Sequence, residues 1–137
     1  MNANQKTSEM AIMKVKLSML WLLGEVILLT FLVLEFMEQG VMEAIIAGNM
    51  RGLPLGPGTL LFYAVSLLIP LVMVFLSLTL KKAMNRRVNI IVGVVYTRLY
   101  LMDLIAHLAV PSAYAILLGV ASFVAQLLIV WYAWKWV

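Results

Sequence analysis

Cysteine is absent from the 137 residues, and histidine occurs once. The first absence excludes disulfides, thiolate metal sites and thiol redox chemistry. The second leaves zinc dependent on a convergence of Glu35, Asp103 and His107, short of the usual four ligands unless water completes the set. Charge is scarce too, at 12% of residues against 65% hydrophobic, which excludes an ordinary soluble domain. No glycine-rich loop follows a strand, and no serine, threonine or lysine has a base partner at motif spacing. No metal, cofactor or catalytic residue is assigned, and a non-enzyme is the reading favoured over an enzyme.

What is present is apolar sequence in four blocks, each near the roughly 20 residues that a membrane crossing needs. The spans are expected at 16–37, 59–80, 88–110 and 113–134, with an interfacial loop over 38–58. The first block is longer than a signal-peptide core and no small-residue cleavage site follows, so it is expected to stay as a helix. The polar start, Met1 to Glu9, is expected to lie outside it. In the loop, Val41 to Gly48 suits a short interfacial helix with Val41, Ala44 and Ile45 toward lipid. Gly52, Pro54, Gly56, Pro57 and Gly58 then force turns, and Thr59 is the expected helix cap. Pro70 interrupts the second span, which a membrane helix tolerates where a neighbour satisfies the freed carbonyl.

The formal charge is +4, but the basic residues flank apolar spans, which points to anionic lipid headgroups and away from nucleic acid. Lys81, Lys82, Arg86 and Arg87 form an expected basic turn. With Lys6, Lys14, Lys16 and Lys135 they fall on one side, against Arg51 on the other. By the positive-inside rule both termini are cytoplasmic. Pro111 and Ser112 are read as a tight outer turn, and Trp131, Tyr132, Trp134 and Trp136 as an interfacial belt. The expected architecture is all-α: one transmembrane four-helix up-and-down bundle, multi-pass in the plasma membrane, with the lipid bilayer as its first partner.

The segments KVKLSMLW (Lys14–Trp21), NIIVG (Asn89–Gly93) and IVWYAWKW (Ile129–Trp136) resemble a group of small four-span prokaryotic membrane proteins of unknown function. The resemblance covers most of the chain. It implies the architecture and no activity, substrate or catalytic residue.

The functional signal is polarity inside the spans, where an ionisable side chain costs roughly 2.5–3.5 kcal/mol at a helix centre on insertion scales. Tyr96, Tyr100, Asp103 and His107 share one helix face, and Arg98 points nearly opposite. Glu25 sits mid-span with Ser18 and Trp21 on its face. Tyr63, Ser66 and Pro70 mark the second span, and Ala115, Gly119, Ser122, Gln126 and Ala133 the fourth. These faces are expected to turn inward together. The candidate ligand residues are Glu25, Asp103, Tyr63, Tyr96, Tyr100 and Gln126, acidic groups beside an aromatic wall suited to a small hydrophobic or cationic, proton-coupled solute. Depth matching suggests two ion pairs, Glu25 with Arg98 and Glu35 with His107. A homodimer contact through Arg98 is the alternative to the first. Asp103 and His107, four apart, form either a relay or a bundle tie. Two other functions stay open: an accessory or structural subunit engaging a partner chain through Arg98, and a lipid-modifying enzyme using Asp103, His107 or Glu25.

Overall fold

The structure is a computed structural model that describes residues 3–109 and 112–136. The long helices α1 (Ala3–Phe36), α3 (Pro57–Thr79), α4 (Lys82–Ala109) and α5 (Ala113–Lys135) form an all-α four-helix bundle. Between α1 and α3 lie a short helix, α2 (Val41–Ile46), and a hairpin of β1 (Asn49–Met50) and β2 (Leu53–Pro54). Each long helix is long and apolar enough to cross a membrane.

Three boundaries differ from the sequence reading. Helix α1 begins at Ala3, so the polar start is helical from that residue on; at 1.5 Å per residue α1 spans about 50 Å and overruns a hydrocarbon layer of about 30 Å. The basic turn is not a turn, because α4 starts at Lys82 and carries Arg86 and Arg87 on its first coils. Helix α3 starts at Pro57 with Gly56 as N-cap, proline being suited to a first position that needs no N–H. Thr59 instead donates to the Pro54 carbonyl at 2.9 Å. Val110 and Pro111, expected to end the third span and to begin the tight turn, lie outside the described residues, as does the side chain of Lys6.

Helix α1 packs along α3 and α5, and α5 along α4, whereas α3 and α4 meet at few points. The bundle is therefore a square with one loose side. Close approach elsewhere relies on glycine: a Cβ on Gly93 would stand 2.9 Å from Cγ2 of Val130, and one on Gly119 3.1 Å from Cδ1 of Leu104. Small residues of this kind let membrane helices pack backbone to backbone.

The inward faces carry the polar groups. Pro70, Met73 and Ser77 of α3, and Ala115, Gly119, Ser122, Gln126 and Ala133 of α5, are buried. Near the basic end Trp21 Nε1 donates to Asn89 Oδ1 at 2.7 Å, and Ser77 Oγ donates to the same oxygen at 3.2 Å. Asn89 Nδ2 in turn donates to Asn85 Oδ1 at 2.6 Å. The last carbonyls of α3 lack intrahelical donors, and side chains supply them: Asn85 Nδ2 to Ser77 O at 2.6 Å and Lys14 Nζ to Leu78 O at 3.1 Å. Trp131 and Trp134 are exposed, while Trp136 is buried in the core, so the aromatic belt is partly structural.

Gly93→Val should destabilise the bundle by about 1–3 kcal/mol, the usual cost of overpacking, in detergent unfolding. Gly58→Ala, where an added Cβ meets nothing within 4 Å, should be near neutral. Equal stabilities for the two variants would contradict the α4–α5 packing.

Candidate functional site

The loose side of the square opens into a cleft of about 330 Å³ between α3 and α4, with α1 behind it. Its floor is set by proline chemistry. Pro70 has no N–H, so the carbonyl of Ser66 four residues earlier has no intrahelical donor. The hydroxyl of Tyr96 on α4 supplies it at 2.8 Å. Tyr96 is itself held edge-on to Trp21, with ring centroids 5.8 Å apart, and Tyr100 follows one turn on at 6.3 Å. Tyr63, Tyr96, Tyr100 and Ser66 thus line the cleft with Leu28, Leu32 and Leu99, and its charged lining residues, Arg51 and Asp103, sit together at the loop end.

Arg51 organises that end. It occupies the first central position of the hairpin turn at φ 51°, with Gly52 following at φ 76°. Both central residues left-handed is the arrangement that matches strand twist in a two-residue hairpin. A non-glycine residue there carries a steric cost of about 1–2 kcal/mol. The guanidinium contacts offset it: Nε donates to Glu35 Oε1 at 2.6 Å, Nη2 to Glu35 Oε2 at 2.8 Å and Nη1 to Asp103 Oδ1 at 3.1 Å. Its Cζ also lies 5.1 Å from the centre of the Phe31 ring. Burial lowers the Arg51 pKa, but the hydrogen bond and charge of Glu35, with Asp103 and Tyr63, outweigh it and hold the group above the ordinary arginine value. Stabilisation from a raised pKa is present below the unfolded value and lost only above the raised one, so this cation does not titrate in any physiological range.

Asp103 is shared, since its Oδ2 lies 3.7 Å from His107 Nε2. Two carboxylates against one guanidinium leave one negative charge in excess when His107 is neutral. The histidine ring packs edge-on to Phe31 at 5.2 Å. Of the three side chains on which a zinc site would depend, Glu35 and Asp103 therefore converge on an arginine, and His107 lies against Asp103. Glu35 pairs with Arg51, not with His107, because the loop folds back over the bundle and brings a stronger bidentate partner.

The other sequence candidates are elsewhere. Glu25 is buried at 2% exposure and Gln126 at 1%, and neither lines the cleft. Glu25 lies one turn below Leu28, within electrostatic range of Tyr96 and Tyr100. The Gln126 amide lies against Gly24, whose added Cβ would be 3.2 Å from Nε2. Glu25 Oε1 and Gln126 Oε1 have no hydrogen-bond donor among the described residues. Arg98 does not reach Glu25; it is exposed on the outer side of α4, as its angular position dictates. The interfacial helix also differs, since Val41, Ala44 and Ile45 of α2 face a second cavity of about 250 Å³ shared with Glu35 and Arg51. Met42 and Ile46 are the exposed large apolar residues of α2, and Glu43 and Ala44 are exposed beside them.

Four apolar helices around polar inner faces, with a cleft on one side, define a small integral membrane protein. The chain belongs to the family of unknown function DUF6326, whose profile matches residues 9–137. No curated protein and no solved structure matches it.

Arg51→Leu should loosen the loop and cost about 1.5–3 kcal/mol, the range for hydrogen bonds to charged groups. Arg51→Lys should recover little, because an ammonium cannot make the two-pronged contact to Glu35. Unfolding in detergent and proteolysis of the 38–56 segment read both, and wild-type resistance in Arg51→Leu would remove the latch.

Proposed function

We propose that the protein binds, and moves or presents, a small hydrophobic or cationic solute taken from the bilayer into the cleft between α3 and α4. The observation that carries the reading is the lining itself: apolar and aromatic side chains along its length, with charge confined to one end. Leu60, Phe62 and Leu99 on the cleft are exposed, which suits entry sideways from lipid. Tyrosine faces attract a cation electrostatically, and the excess carboxylate charge at Asp103 favours the same sign. In this reading Tyr63, Tyr96 and Tyr100 form the wall, Asp103 selects charge and Arg51 keeps Glu35 from competing for the ligand. Glu25, buried beneath the floor with no donor for Oε1 among the described residues, is the group through which a proton would couple to binding. Lysine and arginine asymmetry supports cytoplasmic termini, with the loop and Arg51 on the outer face.

Tetraphenylphosphonium is the probe to use, with the protein in lipid nanodiscs. Saturable binding is expected, weakened roughly tenfold in Asp103→Asn, or about 1.4 kcal/mol, with binding of a neutral aromatic analogue little changed. Saturable binding of neither compound to the wild-type protein would contradict the proposal.

A further inference from the structure

One charge in the spans is used neither by the cleft nor by the core. Arg98 stands on α4 eleven residues beyond Arg87 and nine before His107. At 1.5 Å per residue those side chains lie about 17 Å and about 14 Å away along the axis, so Arg98 falls near the middle of a hydrocarbon layer of about 30 Å. The face around it is apolar and turned outward: Met84, Ile91, Val94, Met102 and Ile105 are each more than half exposed. No ion-pair partner for Arg98 occurs among the described residues. A guanidinium at that depth, facing acyl chains, is costly enough to demand a carboxylate or another acceptor.

A second copy of the chain does not have one to offer. Of the six acidic residues, Glu9 lies near the amino terminus, and Glu38 and Glu43 lie in the loop, all exposed and far from mid-span. Glu35 and Asp103 are held by Arg51 at the loop end. Glu25 alone is at Arg98's depth, and it is buried inside the bundle. Two copies meeting through this face would set arginine against arginine, whichever way each is inserted.

We propose that the Arg98 face of α4 is a docking surface for a transmembrane helix of a different polypeptide that carries an aspartate or glutamate near its midpoint. The apolar residues on either side of Arg98 give the contact area, and the ion pair fixes depth and rotation. This proposal is independent of the cleft, which lies on the other side of α4.

Synthetic single-span probes test it: lysine-flanked polyleucine helices with a central aspartate, asparagine or leucine, co-reconstituted with the labelled full chain in phosphatidylcholine vesicles and followed by energy transfer. The aspartate probe should associate roughly tenfold more tightly than the leucine probe, and Arg98→Leu and Arg98→Gln should both erase the difference. Because Arg98 is exposed, both variants should keep wild-type unfolding temperatures. Equal association of the probes overturns the proposal, and so does an oligomer of the pure chain that dissociates in Arg98→Leu. Abolition of probe binding by added phosphatidylglycerol also overturns it, in favour of lipid phosphate as the partner.

Discussion

The missing N–H of Pro70 sets the geometry on which the rest depends. A free carbonyl in hydrocarbon has no water to turn to, so it must be met from within the bundle or the helix end must leave the membrane. Here the hydroxyl of Tyr96 meets it. The bond needs Tyr96 to point at α3, and that fixes the rotation of α4. The same rotation carries Asn85 and Asn89 toward Ser77 and Trp21 at the basic end and Tyr100 and Asp103 toward the loop at the other. It also sends Arg98 outward.

A long side chain bridging two helices holds them apart as well as together. Below the Tyr96 contact the short polar side chains of Ser77, Asn85 and Asn89 draw α3 and α4 close. Above it Tyr63 and Tyr100 intervene, and a cleft follows. The hairpin covers this end without filling it, since Arg51 spends its donors on Glu35 and Asp103 at the rim. The left-handed backbone at Arg51 is the local cost of holding one guanidinium between two helices.

Much of the bundle was legible because periodicity suffices for helices in lipid. Each span's polar or small face was identifiable by angle, and Pro70, Ser77, Tyr96, Gly119 and Gln126 are on the inside as that geometry requires. Two misreadings have physical causes. Lys81 to Arg87 looks like a turn because charge is dense there, which hides Asn85; stepping back by fours from Gly93 along the Tyr96 face, through Asn89, would have found it. Depth matching paired Glu25 with Arg98 on one coordinate only, although rotation already set them apart. Arg51 could not be placed, since two-residue strands show no alternation and its partners lie on α1 and α4. The Arg51–Gly52 dipeptide between short flanks was the one available sign of a hairpin.

The central claim is that Tyr96 compensates for Pro70 across the α3–α4 interface, and a double-mutant cycle measures it. Removing the Tyr96 hydroxyl as Tyr96→Phe should destabilise the wild-type bundle by about 1–3 kcal/mol, the cost of an unmet buried acceptor. In a Pro70→Ala background, where residue 70 regains an N–H for the Ser66 carbonyl, the same change should cost little. An equal penalty in both backgrounds would show that the hydroxyl and the proline are unconnected, and the geometry built on their contact would fall with it.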